Sequence, residues 1–348
     1  MLSSIFKYSG VTAKIKVMLG QMLVPEDYEE LVRKKTVQEV AAYLKYNTSY
    51  KSILEEINEN SIHRGQLERV LKKTLIQSYI KLFKFLKGDI KSFLKSIFLR
   101  YEIEELKMLT RVLDTGRSPQ IAQDSLVFLE KYNTIDIHAL AASKNIQQFI
   151  ENLEGSVYYK LLSPFITNTE HLNLFSIEMV LDMYYFNLLW KQKDKIMSGQ
   201  DQSIITTSLG SETDILNILW IHRCKKYYNI QNELIYSYII PHNYKLKKSQ
   251  IIEMVEAETP EEVESIIKNT PYSKFFSSDK DLLLEHDFDY YIYKLYRSLL
   301  RRNNFSIASL MAFIHLKEIE IKNIISVIEG IRYNIEPEQI KKYILVGH

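Results

Sequence analysis

The chain reads as all-α, built from three like helical repeats. Three observations carry that reading. Turn-forming residues are scarce, with 10 Gly and 7 Pro in 348 residues, less than half the usual share of roughly 12%. Proline is absent from Glu26 to Ser118, from Phe165 to Ile240 and from Tyr272 to Glu336. Within these stretches apolar residues recur at three- and four-residue steps, the period of an amphipathic helix. Leu67, Val70, Leu71, Leu75 and Ile76 form one such face, and Ile90, Phe93, Leu94 and Ile97 another.

Breaks at Arg117-Ser118-Pro119 and Ile240-Pro241-His242-Asn243 divide the chain into near-equal thirds, 1–120, 121–240 and 241–348. The thirds look alike. In the first, Thr36-Val37-Gln38-Glu39 has capping-box spacing; Val40, Tyr43 and Leu44 follow, then Asn47-Thr48-Ser49-Tyr50 and Ile53-Leu54. In the second, Ser143 stands where a cap is expected, followed by Ile146, Phe149 and Ile150, then Gly155-Ser156-Val157-Tyr158 and Leu161-Leu162. The third opens on Thr259-Pro260-Glu261-Glu262, with proline at the first helical position. Val263, Ile266 and Ile267 come next, then Asn269-Thr270-Pro271-Tyr272 and Phe275-Phe276. Tyr50, Tyr158 and Tyr272 are therefore repeat anchors, expected in the core or at repeat interfaces with hydroxyls that need partners.

A second element recurs downstream. It is Tyr101-Glu102-Ile103-Glu104-Glu105-Leu106 in the first repeat, Thr213-Asp214-Ile215-Leu216-Asn217-Ile218 in the second and Lys317-Glu318-Ile319-Glu320-Ile321 in the third. Each is read as a polar start running into an apolar helix, with Glu102, Thr213 and Glu318 at equivalent points. The carboxylate pairs Glu102/Glu105 and Glu318/Glu320 are then helix starts or inter-repeat contacts rather than acid/base machinery.

Composition bounds the function classes. With 46% hydrophobic and 25% charged residues the chain can bury a large core. A single cysteine, Cys224, leaves no intramolecular disulfide and no zinc-type cysteine cluster, which fits a reducing, cytosolic setting. No apolar run approaches the roughly 18–20 residues of a bilayer crossing, and Lys7, Lys14 and Lys16 interrupt any signal-peptide core. The expectation is a chain neither exported nor membrane-spanning. A formal charge of +2 is no general invitation to nucleic acid.

The ten glycines are never closer than ten residues apart, so no phosphate-cradling loop or dinucleotide fingerprint exists. No H-E-x-x-H or G-x-S-x-G occurs either. The acidic run Glu285-His286-Asp287-Phe288-Asp289 could offer metal ligands, but no second cluster completes a shell, and a solvated acidic stretch is the better reading. Cys224 reads as structural rather than as a reactive thiolate. Lys81, Lys84, Lys87, Lys91 and Lys95 are spaced for one helix face opposite Leu82, Phe85, Ile90 and Leu94. That stripe is a solvated face by default, and its functional readings are an anionic membrane surface or a phosphate backbone. Nucleic acid is the weaker reading, because Phe83, Phe85 and Phe93 fall among the apolar residues and form no exposed stacking row. No catalytic residue, cofactor, metal or small-molecule substrate is assigned.

The stretch Leu316-Lys317-Glu318-Ile319-Glu320-Ile321-Lys322-Asn323-Ile324-Ile325, with Glu329-Gly330 behind it, resembles the L-K-E-x-E-I-x-N-I signature of the central-stalk subunit of V-type and A-type rotary ATPases, the C subunit of prokaryotes and the d subunit of eukaryotes. Arg100-Tyr101-Glu102-Ile103-Glu104-Glu105-Leu106-Lys107 resembles the family's first copy of that helix, with Glu105 where Asn is common. Tyr8, Ala13-Lys14 and Asp27-Tyr28 to Leu31 are similar to its opening. The resemblance spans essentially the whole chain. It implies three pseudo-symmetric helical domains forming a funnel-shaped cup, without catalytic activity or cofactor of its own. It further implies a rotor role at the cytoplasmic face of the membrane. The cup would receive the central stalk of the ATP-hydrolysing head and sit on the proteolipid ring that transports ions, in hydrolysis or in ATP synthesis. Arg100, Glu102, Glu105, Glu318, Glu320 and Asn323 become family-signature structural residues. A free-standing helical-repeat scaffold for protein partners is the other reading the triplication allows.

Overall fold

The computed structural model describes residues 2–116, 126, 134–167, 174–228, 230–275 and 284–346. Every regular element among them is helical and no strand occurs, so the fold is all-α. The described chain clusters into two compact units, one of residues 1–87, 198–215 and 267–348 and the other of residues 88–197 and 216–266. The break expected at Arg117-Ser118-Pro119 lies outside the described residues, as does Phe276. The break at Ile240 to Asn243 is non-helical, between helices Asn232–Tyr238 and Lys248–Glu256.

In the first unit the helix Ile307–Arg332 is the centre. Eighteen of its 26 residues are buried, too many for one amphipathic stripe, so the helix is enclosed by neighbours. Leu2–Leu19, Val37–Asn47, Arg64–Phe83 and Leu284–Arg302 pack on it. The side chain of Ser306 caps its start by accepting from the Ala308 N–H. Near its end, a Cβ on Gly330 would meet the Ile340 side chain at 2.5 Å, so glycine lets the short helix Pro337–Lys342 lie close.

In the second unit the helices Gly88–Asp114 and Leu174–Ile196 run against each other. Apolar contact supplies the burial through residues such as Phe93, Leu94, Leu106, Ile177 and Leu181. Ion pairs fix the register: Lys107, 7% exposed, reaches both Asp182 oxygens at 3.0 Å, and Arg111 forks onto Glu178 at 2.6 and 3.0 Å.

The short helices that precede the three tyrosines start alike. Thr36, Asn145 and Thr259 each accept a hydrogen bond from the backbone N–H three residues on. In each case the third helical residue reaches back: Glu39 to the Lys35 N–H, Gln148 to that of Lys144 and Glu262 to that of Glu258. The second cap is thus Asn145 and not Ser143. Ser143 is fully buried and accepts from the Asn152 side chain at 3.0 Å, so its hydroxyl is not free to cap.

The basic stripe also differs from expectation. Lys81, Lys84, Lys87, Lys91 and Lys95 are all exposed, but they do not share one helix. Helix Arg64–Phe83 stops and the next starts at Gly88, whose φ of +54° breaks the helical path without a proline. Phe85, released from the helix by that turn, is 48% exposed rather than buried opposite the lysines.

Packing of the central helix yields a direct test. Ile324 is fully buried on it, and Ile324→Ala should lower stability by about 2–5 kcal/mol, read as a shift in the urea midpoint at unchanged slope.

Candidate functional site

Each of the three anchor tyrosines donates a buried hydrogen bond to a carboxylate in the middle of a long helix. Tyr158 gives its hydroxyl to Glu102 at 2.7 Å, Tyr272 to Asp214 at 2.7 Å and Tyr50 to Glu320 at 2.7 Å. The six side chains are at most 2% exposed. A carboxylate so placed is expensive unless donors surround it, and backbone donors complete two of the sets. Glu102 accepts from the N–H and hydroxyl of Thr134, and Glu320 from the N–H of Leu23 at 2.6 Å. Lys317, one helical turn before Glu320, adds its ammonium to Glu320 at 2.5 Å and to the Tyr50 hydroxyl at 3.0 Å.

A second residue repeats three positions after the carboxylate, on the same helix face. Asn217, after Asp214, accepts from the Ile240 N–H at 2.9 Å and donates to the Ile240 carbonyl at 3.0 Å. Asn323, after Glu320, makes the same two bonds to Leu345 at 2.9 and 3.0 Å. The amide suits this role because it both donates and accepts. Glu105 holds the corresponding place after Glu102 and is half-buried; a carboxylate accepts only, so it cannot reproduce the paired bond.

These contacts revise the sequence register. The equivalent positions are Glu102, Asp214 and Glu320, not Glu102, Thr213 and Glu318. None starts a helix: they lie inside Gly88–Asp114, Gly199–Arg223 and Ile307–Arg332. Sequence reasoning misses Asp214 and Asn217, although the shared D/E-x-x-N spacing of Asp214-Asn217 and Glu320-Asn323 marks them. Glu318 is half-buried, 3.6 Å from the His315 ring, and Arg100 is half-buried on the Gly88–Asp114 helix.

The remaining chemical candidates dissolve into packing. Cys224 is buried in a π-helical turn, and burial pushes its thiol up to about 12, the reverse of an activated thiolate. Asp289 pairs with Lys322, and the His286 ring stands edge-on to Tyr343. Among the described residues no group of three or more His, Cys, Asp or Glu side chains is arranged to hold a metal ion. No helix among them is long and apolar enough to cross a membrane.

Comparison with known proteins joins these observations to a family. The family model described as ATP synthase (C/AC39) subunit matches residues 11–343. The chain belongs to that family. The C subunit of the A-type ATP synthase of Methanosphaera stadtmanae is 23% identical over 350 residues, covering 98% of this chain and 88% of that protein. Its counterpart in Methanocaldococcus jannaschii is 22% identical, covering 97% of this chain and 86% of that one. For the counterpart in Thermococcus kodakarensis the figures are 23%, 97% and 90%. The matched range takes in Gly88–Asp114, Gly199–Arg223 and Ile307–Arg332, the three helices whose carboxylates latch the tyrosines.

The latches should be visible in the alkaline limb of stability. Burial first, and then the facing carboxylate, push the phenols of Tyr50, Tyr158 and Tyr272 well above the ordinary value, which is about 10. A raised folded-state value means the contribution is complete below about pH 10 and is lost as pH rises toward the folded value, because the unfolded chain releases its proton first. Stability should therefore fall above about pH 10. Each Tyr→Phe change should make that fall shallower by about 1.4 kcal/mol per pH unit. At neutral pH, Tyr158→Phe should cost about 1.5–3 kcal/mol, the worth of a hydrogen bond to a charged acceptor.

Proposed function

We propose that the chain is a non-catalytic rotor subunit of a V/A-type rotary ATPase. It acts as a socket that receives the central stalk of the ATP-hydrolysing head and couples it to the proteolipid ring at the cytoplasmic face of the membrane. The observation that carries this reading is the order of the latches. Tyr158 of the second third meets Glu102 of the first, and Tyr272 of the third meets Asp214 of the second. Tyr50 of the first meets Glu320 of the third, across 270 residues of sequence. Contacts in that cyclic order tie each of three like repeats, near 1–120, 121–240 and 241–348, to the next. A socket transmits torque through contact forces and needs stiffness and two interfaces, not an active site. The C subunits of A-type ATP synthases match nearly the whole chain, which supports placing it in such a complex.

In this reading the exposed lysines 81, 84, 87, 91 and 95 contribute to docking on the ring or the anionic membrane surface, and neither nucleic acid nor a small-molecule substrate is a partner. The test is reconstitution in vesicles with hydrolysis and ion uptake measured side by side. Omitting the chain should leave hydrolysis by the soluble head intact and abolish uptake. Full coupled uptake in vesicles verified to lack it would end the socket reading. Charge reversal of Lys84, Lys87, Lys91 and Lys95 to Glu should leave the fold intact and lower uptake.

A further inference from the structure

We propose that a polar cavity beside the Tyr50 latch, inside the first unit, is a binding site for a phosphate oxyanion. The cavity measures about 180 Å³, room for a tetrahedral anion with water beside it, since one water takes about 30 Å³. Three lysines line it from three helices: Lys14 of Leu2–Leu19, Lys81 of Arg64–Phe83 and Lys317 of Ile307–Arg332. No carboxylate is among the lining residues.

The charge count favours an anion. Lys317 is 8% exposed and spends two of its three N–H donors on the Tyr50 hydroxyl and Glu320. One donor remains on a buried cation that lines the cavity. Neither Lys14 nor Lys81 has a carboxylate partner among the described residues. Three cations against Glu320 alone leave an excess of two positive charges around a partly enclosed space, where Coulomb attraction is screened less than in bulk water. Ser52 and Gln77 add neutral donors to the lining. A phosphate group fits this excess, with up to two charges as free phosphate and one as a diester, and its oxygens spread the acceptor sites over a tetrahedron, so that one group reaches donors on three helices where a single chloride ion is small. The source is either free phosphate or the phosphodiester of a lipid headgroup. This inference shares Lys81 with the docking lysines but stands on the cavity and does not need the rotary reading.

The test uses the full chain at low ionic strength with two probes, inorganic phosphate and phosphatidylglycerol vesicles, against chloride and phosphatidylcholine controls. Phosphate binding is read by calorimetry and by the rise in thermal midpoint that binding to the folded state must produce; vesicle binding is read by co-sedimentation. Two single variants of equal charge change are compared, K14Q in the cavity and K73Q outside it, neither among the docking lysines. Both lysines are at least partly exposed, so both variants should fold. Saturable binding of either probe, weakened at least tenfold in K14Q and unchanged in K73Q, supports the site, and the probe that shows it names the source. No saturable binding of either probe, binding matched by the controls, or equal weakening in both variants overturns it.

Discussion

A carboxylate in the middle of a buried helix must be met by donors, and the organisation of this protein follows from how three of them are met. Glu102, Asp214 and Glu320 are each buried on a long helix, where an unpaired acid would cost several kcal/mol. The donor in every case is a tyrosine from another third of the sequence. Tyrosine suits the task because its ring packs as core while its hydroxyl reaches out of that core to the acid. Each carboxylate thereby specifies which segment lies against its helix, in a way that apolar packing alone does not.

The asparagines at 217 and 323 extend the same logic to the chain's own backbone. A segment leaving a helix bundle carries N–H and C=O groups that must be satisfied. A buried amide satisfies one of each on Ile240 and on Leu345. One helix face thus holds a tyrosine and a non-helical segment at positions three residues apart. In the first third Glu105 keeps the position but not the paired chemistry. That copy is therefore the one in which the second contact must be made differently.

Much of the fold is legible in the sequence because it rests on periodicity. Three- and four-residue spacing marks the faces of Arg64–Phe83 and Gly88–Asp114, and the three tyrosines stand out by their recurrence behind helix-capping signals. The latch partners are harder to read. Residue type equates Glu102, Thr213 and Glu318 as polar helix starts, whereas the tyrosine contacts make Glu102, Asp214 and Glu320 the equivalent set, and an acid met by tertiary contact leaves no local signature. Ser143 has the residue type of a cap, while Asn145 caps because Ser143 is drawn into the core. The lysine spacing suggests one helix because no proline interrupts it; the interruption comes from Gly88 in a left-handed conformation, a possibility that any glycine carries and spacing cannot reveal.

The central claim is that three tyrosine–carboxylate contacts hold the thirds of the chain to one another. Double-mutant cycles measure this most directly: Tyr50→Phe with Glu320→Gln, Tyr158→Phe with Glu102→Gln, and Tyr272→Phe with Asp214→Asn, each by equilibrium unfolding of the full chain. The account predicts a coupling of about 1–3 kcal/mol within each pair and additivity between members of different pairs. Additive behaviour within the pairs would contradict it.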